Sequence, residues 1–247
     1  MSVVVVVPTY NERDNIVILV DKVIECLPNA RVLIVDDNSP DGTGQVADEL
    51  AAKMPDRVSV MHRTRKEGLG AAYVAGYQYA MTQFPDATHF VQMDADLSHD
   101  PLYLPALVET ATNEADVAVG SRYTNGVSIV NWPLRRLIIS KLGTAYARLL
   151  TRLPITDCTG GYKCYRREVL DAIDLPKIRS NGYCFQIETS FRAWQKGYRL
   201  KDVPIIFYER QRGNSKLNLN IAFEALVVVM RLGIERILHP PVQRAAN

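Results

Sequence analysis

Two aspartates spaced i, i+2, Asp94 and Asp96, close the apolar run His89-Phe90-Val91-Gln92-Met93. The run reads as a buried strand ending at Asp94. Side chains alternate faces along a strand, so both carboxylates are expected on one side at its C-terminal end. Held together, they repel each other unless something positive sits between them. A hard divalent cation with oxygen ligands answers that need, and it would bring phosphate groups with it. A lone Asp-x-Asp is more often a solvated acidic turn, so the rest of the chain has to decide.

Two other strand ends carry the same kind of residue. Val3–Val7, all apolar and β-branched, runs into Pro8, Thr9, Tyr10, Asn11 and Glu12. Val32–Val35 runs into Asp36 and Asp37. In an open α/β sheet ligands bind beyond the C-terminal ends of the strands, so one molecule lying along that edge would meet all three segments. Late in the chain, Tyr208-Glu209-Arg210-Gln211-Arg212-Gly213-Asn214-Ser215-Lys216 gathers cations in a Gly-containing loop. Such a loop is usually solvated. Closing over a diphosphate would also satisfy its charges.

The elements that must position these groups alternate. After the first strand comes helical spacing through Ile16, Leu19, Val20, Val23, Ile24 and Leu27. A helix over Gln45–Lys53, a strand over Val58–His62 and a helix from about Gly70 to Gln83 follow the second strand. Beyond Asp96, Asp100-Pro101 opens another helix, and Val117–Gly120 is the next strand. Continuous apolar strands alternating with helices imply an α/β fold with a mostly parallel sheet and helices on both faces. The second half differs. Trp132–Leu153 reads as a long basic amphipathic helix with Leu134, Leu137, Ile138, Leu142, Ala145, Tyr146 and Leu149 on its apolar side. Tyr162–Arg166 and Arg199–Phe207 read as strands, Tyr183–Lys196 and about Asn220–Leu238 as helices. No repeat or linker interrupts the chain, which suggests one domain.

Bulk properties remove several function classes. The 247 residues carry a net charge of +2, which by itself does not argue for nucleic acid. Between Gly120 and Arg167, nine Lys/Arg stand against one acid, Asp157, a segment suited to phosphates or an acidic membrane face. Cys26, Cys158, Cys164 and Cys184 form no C-x-x-C pair, and no histidine stands at zinc-like spacing, so reduced buried thiols in a cytosolic protein are expected. Neither a secretory leader nor a run of about 20 apolar residues is visible. Gly68-Leu69-Gly70 lacks the third glycine of a dinucleotide fingerprint, with Tyr73 in its place. P-loop and G-x-S-x-G motifs are absent.

Taken together, Val5-Val6-Val7-Pro8-Thr9-Tyr10-Asn11-Glu12, Val35-Asp36-Asp37-Asn38-Ser39-x-Asp41-Gly42-Thr43, Asp94-Ala95-Asp96, Gly120-Ser121-Arg122-Tyr123, Asp157-x-Thr159-Gly160-Gly161-Tyr162-Lys163 and Gly213-x-Ser215-Lys216 resemble the family-2 glycosyltransferases. More narrowly the set is similar to the dolichyl- or polyprenyl-phosphate mannosyltransferases. The likeness runs from about residue 3 to residue 238. The processive-synthase Q-x-x-R-W signature is missing.

The resemblance implies a GT-A fold in one domain, residues 1–120 forming the nucleotide-sugar half and 121–247 the acceptor and lipid-facing half. It implies inverting transfer of mannose from GDP-mannose to a polyprenyl phosphate, giving a β-linked product. A related hexosyl transfer from UDP-glucose or another nucleotide sugar is the alternative. Position by position, Pro8, Tyr10, Glu12, Val35 and Asp37 would hold the guanosine. Asp94, Ala95 and Asp96 would hold the diphosphate and its Mg²⁺ or Mn²⁺, and Arg122, Arg210 and Lys216 would grip phosphates. Of these, Asp96, Arg122 and Arg210 are the expected catalytic residues. Arg122, Arg136 and Ser140 fall where the acceptor phosphate is bound. Ser98 stands where some relatives present Gln as a further metal ligand. Membrane contact is expected to be peripheral, at the cytosolic face, through the basic helix or through a separate anchoring subunit.

Overall fold

The computed structural model describes residues 1–178, 180, 182–208 and 219–242. The first strand, β1 (Val3–Thr9), is buried along its whole length. Its alternation divides the core in two. Val3, Val5 and Val7 pack with Ile16, Leu19, Val20 and Val23 of α1 (Arg13–Cys26). Val4 and Val6 pack on the opposite face with Tyr73 and Tyr77 of α3 (Leu69–Gln83). A strand apolar on both faces belongs inside a sheet covered on both sides, and its β-branched residues suit a pleated surface.

Along the chain, β2 (Arg31–Asp36), α2 (Thr43–Lys53), β3 (Val58–His62), α3 and β4 (His89–Gln92) follow. Then come a short 3-10 turn at Pro101–Tyr103, α4 (Leu104–Asn113), β5 (Val117–Ser121), β6 (Ile129–Val130) and α5 (Leu134–Thr151). The last elements are β7 (Lys163–Arg166), α6 (Arg167–Ala172), α7 (Gly182–Gln195), β8 (Leu200–Pro204), β9 (Phe207–Tyr208) and α8 (Leu219–Leu238). Among the described residues, seven strands form one sheet in the order β3-β2-β1-β4-β7-β5-β8. The chain moves outward from β1 to β3, then returns to place β4 on the other side of β1. That reversal opens a crevice at the C-terminal ends of β1 and β4, where open α/β sheets bind ligands.

The mostly parallel expectation holds, with one antiparallel strand, β7, between β4 and β5. Its direction has a consequence for the site. The residues leading into β7, Asp157 to Tyr162, reach the sheet at the edge where β4 and β5 end. The Arg199–Phe207 strand is two pieces: β8 joins the main sheet, while β9 pairs with β6 in a separate two-stranded sheet. The predicted strand ending at Asp94 stops instead at Gln92. Met93 still donates to the Val6 carbonyl at 3.3 Å, but the Asp94 N–H leaves the ladder for the His99 ring at 3.1 Å. Asp94 and Asp96 therefore stand in a turn, not on alternate positions of a strand.

The basic helix α5 buries Thr144, Ala147 and Thr151. The expected apolar side divides: Tyr146 packs against the core and Leu137 is half-buried, while Leu134, Ile138, Leu142 and Leu149 are exposed, as is Ile139. Helix α8 packs on α5, with Gly233 against Leu150 and the Tyr146 hydroxyl donating to the Leu226 carbonyl.

Close approach of α3 to the sheet depends on Gly76. A Cβ there would lie 2.7 Å from Val6 Cγ1 and 2.9 Å from Val35 Cγ2. Alanine would gain about 1 kcal/mol of helix propensity. Overpacking two buried β-branched residues costs about 1–3 kcal/mol. We therefore expect Gly76→Ala to lower the urea midpoint of unfolding; an unchanged or raised midpoint would contradict this packing.

Candidate active site

Left-handed backbone appears at three of the strand-to-helix turns on this edge, at Asn11 (φ 62°), Asn38 (φ 56°) and Leu97 (φ 61°). Asparagine adopts that conformation readily; leucine does so only when its surroundings hold it there. Leu97 is thus the strained position, directly after Asp96. Asp36 is committed to the frame, accepting from Thr9 Oγ1 at 3.0 Å and from the Ser39 hydroxyl at 2.6 Å. Asp41 is likewise taken up by the frame, accepting from the Thr43 N–H at 3.0 Å. Asp37 is left facing the crevice.

The crevice holds a cavity of about 380 Å³. Its lining includes Pro8, Tyr10, Glu12, Asp37, Asp94, Ala95, Asp96, Ser98, Arg122 and Arg136, so ten of the sequence-predicted residues meet around one space. Val35 does not line it; its side chain is fully buried under Gly76. Ser140 stands one helical turn beyond Arg136 and accepts a hydrogen bond from the Tyr123 hydroxyl at 2.8 Å. Arg210 and Lys216, with the rest of the late basic segment from Glu209 on, fall outside the described residues.

At one end Asp37 pairs with the mostly buried Arg63 at 2.5 Å. Burial raises the Asp37 carboxyl above its ordinary value, against the opposing pull of Arg63. Lys66 lies 3.4 Å over the Tyr10 ring. In the middle stand the two acids. Asp94 Oδ1 accepts from the fully buried Tyr73 hydroxyl at 2.8 Å. Burial and the Asp94 charge push that phenol well above its usual range, so it stays a donor. Asp96 Oδ1 accepts from the Ser98 N–H at 3.1 Å and its hydroxyl at 2.6 Å. Each carboxylate is thus oriented by a donor that carries no charge of its own. Among the described residues no group of three or more His, Cys, Asp or Glu side chains could hold a metal ion. Two carboxylates alone are an incomplete shell for a hard cation, which suits one that shares its ligands with a diphosphate.

The far wall is cationic and aromatic. Arg122 Nε donates to Asp157 Oδ2 at 2.6 Å, and Nη2 donates to Asp157 Oδ1 at 2.7 Å and to Thr159 Oγ1 at 2.8 Å. Trp132 lies between guanidiniums, 4.0 Å from Arg136 and 5.3 Å from Arg122, and meets Phe207 edge-on. Sequence reasoning missed most of this shell. Tyr73 registered only as an absent glycine, and His99 only as a histidine without zinc spacing. Thr159, Gln186 and Phe207 line the cavity too, from segments distant along the chain. The one local signal was Trp132, just before α5, and Arg136, in its first turn, spaced i, i+4.

Burial would raise the Asp157 carboxyl, but the Arg122 charge and hydrogen bonds outweigh it and hold the group below its ordinary value. A depressed folded-state pKa means stability that is complete above the unfolded value, near pH 4, and is lost as pH falls through the folded one. Asp157→Asn would strand a buried guanidinium, at a cost of about 3–5 kcal/mol. Urea unfolding between about pH 3 and 7 should show a lower midpoint for this variant and a shallower acid decline. Parallel curves for variant and wild type would contradict the assignment.

The glycosyl transferase family 2 model matches residues 4–174. The chain is 48% identical over 230 residues to a polyprenol monophosphomannose synthase of Mycolicibacterium smegmatis, covering 93% of this chain and 86% of that one. It is 45% identical over 234 residues to an undecaprenyl-phosphate mannosyltransferase of Micrococcus luteus, covering 95% of both. Among solved structures, it is similar in fold to a mannosyltransferase of Pyrobaculum calidifontis determined with GDP-Man and Mn²⁺. The TM-score is 0.58 at 18% identity, over 96% of this chain and 74% of that one. Sheet order, crevice and family model agree: the chain belongs to glycosyl transferase family 2, with a GT-A fold.

Proposed function

We propose that this protein transfers mannose from GDP-mannose to a polyprenyl phosphate, with inversion at the anomeric carbon. The observation that carries the reading is the convergence of two neighbouring aspartates and two guanidinium groups on one cavity. The names of the relatives supply the sugar and the lipid class. Residues 1–120 hold the donor and 121–247 the acceptor. The Asp37 carboxylate suits guanine, whose adjacent N1–H and N2–H groups both donate; uracil offers a single N–H between two carbonyls.

The donor breaks between its anomeric carbon and a diphosphate, so negative charge grows on the leaving group. Asp94 and Asp96 hold a divalent cation, Mg²⁺ or Mn²⁺, which when bound neutralises that charge. The oxygen-only donors fit a hard cation, and the structural neighbour with GDP-Man and Mn²⁺ supports it. Ser98 aims Asp96 through its hydrogen bonds and keeps a lone pair for the same site. By the family resemblance, Arg210 and Lys216 are assigned to the phosphates. The acceptor is a phosphate monoester, already anionic at neutral pH, and needs little help from a general base. Bringing two anions together is the harder task, and Arg122, Arg136 and Ser140 answer it. Attack in line with the departing diphosphate inverts the sugar to a β-linkage.

A lipid acceptor requires contact with a bilayer, and no described helix is long and apolar enough to cross one. The outward apolar residues of α5, Leu134, Ile138, Leu142 and Leu149, rise beside Arg135 and Lys141. Leu226, Met230 and Ile234 of α8 are exposed as well. Apolar stripes flanked by cations suit peripheral binding to the cytosolic membrane face. Arg136, on the first turn of α5, brings this surface to the cavity.

Purified protein incubated with a short-chain polyprenyl phosphate, Mg²⁺ or Mn²⁺ and a panel of GDP- and UDP-linked sugars should yield a product one hexose heavier from GDP-mannose. Product from UDP-glucose alone would overturn the donor assignment. Asp96→Asn should lower turnover about 10²-fold or more, and wild-type turnover would remove the cation from the scheme. Flotation on anionic liposomes should weaken in the double variant Ile138→Glu with Leu142→Glu. Unchanged flotation would point to another surface of this chain, and a wild-type protein that does not float would point to a separate anchoring subunit.

A further inference from the structure

Where β4 gives way to the acidic turn, a side chain takes the place of the neighbouring strand. The Asp94 N–H, which a longer ladder would have used, donates to His99 Nδ1 at 3.1 Å. Accepting at Nδ1 requires the neutral ring with its proton on Nε2. The ring is 3% exposed and is held on both sides. It stacks on Tyr162 with centroids 4.8 Å apart and planes 10° apart, and meets Phe207 edge-on at 5.9 Å. Tyr162 in turn donates its hydroxyl to the Asp100 carbonyl at 3.1 Å, closing a loop around residues 94–100. Gly161 passes so near that a Cβ there would stand 3.4 Å from His99 Cε1.

This matters because the turn is strained. Leu97 sits at φ 61° between Asp96 and Ser98. A non-glycine residue in that conformation persists only when surrounding contacts over-determine it. Asp96 is oriented from within the turn, by Ser98. Asp94 is oriented from outside, its side chain by Tyr73 and its main chain by His99.

We propose that His99 is a positioning residue for the divalent-cation site: by accepting the Asp94 N–H, it fixes the separation of the two carboxylates. The inference rests on the reading that Asp94 and Asp96 hold the cation. It assigns to His99 no contact with substrate and no proton transfer. The acceptor nitrogen is the functional part, while stacking on Tyr162 sets where that nitrogen lies.

Two variants of similar size separate these parts. Asparagine places an amide oxygen near the Nδ1 position and keeps the acceptor; leucine has none, and both lose the stack. Mn²⁺ binding in the presence of GDP, followed by electron paramagnetic resonance, is the readout, with thermal unfolding in chelator as the control for folding. His99→Asn should retain Mn²⁺ within roughly threefold of wild type, and His99→Leu should weaken it about tenfold or more, as expected for a lost hydrogen bond at a partly buried donor. Equal Mn²⁺ affinities in the two variants, whether both normal or both lost, would overturn the proposal. Should His99→Leu fail to fold, His99→Phe takes its place with the same expectation, since it keeps the stack without the acceptor. A wild-type protein that binds no Mn²⁺ would refute the cation site itself, a result distinguishable from a failure confined to His99.

Discussion

Charge repulsion between two carboxylates at the end of a sheet is the constraint around which the site is built. Like charges held side by side raise each other's cost unless something positive lies between them. The surroundings of Asp94 and Asp96 hold them in place with neutral donors, Tyr73 on one and Ser98 on the other. A neutral donor orients a carboxylate without cancelling its charge. Elsewhere around the cavity a different choice is made: Asp157 meets Arg122 directly and Asp37 meets Arg63. Those ion pairs frame the cavity, and the two acids between them are the ones proposed to share a metal ion.

The buried Arg122–Asp157 pair shows how the cationic wall of the cavity is kept rigid. An arginine alone at 5% exposure would be costly to desolvate. Two-point contact with a carboxylate offsets that cost and fixes the guanidinium plane. The pair is close to neutral, so Arg122 contributes directed hydrogen bonds more than net charge. Arg136, stacked on Trp132 at the mouth of α5, carries the longer-range attraction for an anion. Antiparallel β7 makes the arrangement possible, since it delivers Asp157, Thr159 and Gly161 to the edge where β4 and β5 end.

Much of the frame could be read directly from the chain. Val3–Val7 is apolar at every position, which announces a strand covered on both faces, and Val58–His62 appears as a strand with the bounds expected. The polar segments at Pro8–Glu12, Asp37 and Asp94–Asp96 gather around one cavity because parallel strands end on one edge. What escaped sequence reasoning is tertiary. The end of β4 at Gln92 is decided by a ring five residues beyond Asp94, and periodicity carries no trace of that bond. The apolar stripe of α5 spelled an amphipathic helix but not its orientation; the helix buries Thr144 and Thr151 and turns Leu134, Leu142 and Leu149 outward. A pattern reports that a face is apolar, not what covers it. Tyr73, His99 and Gln186 orient or line the site from three separate segments, and no spacing along the chain connects them.

Thermodynamic linkage between cation and nucleotide tests the central claim most directly, because it needs neither lipid nor turnover. If the twin acids and the diphosphate share one cation, each must strengthen the binding of the other by the same factor. Calorimetric titration of GDP into the protein, with Mn²⁺ and then with chelator, measures that factor. The account predicts GDP affinity at least about tenfold higher with Mn²⁺, and loss of the difference when Asp94 and Asp96 are both replaced by Asn. Equal GDP affinity under the two conditions, or a difference that survives the double replacement, would contradict it.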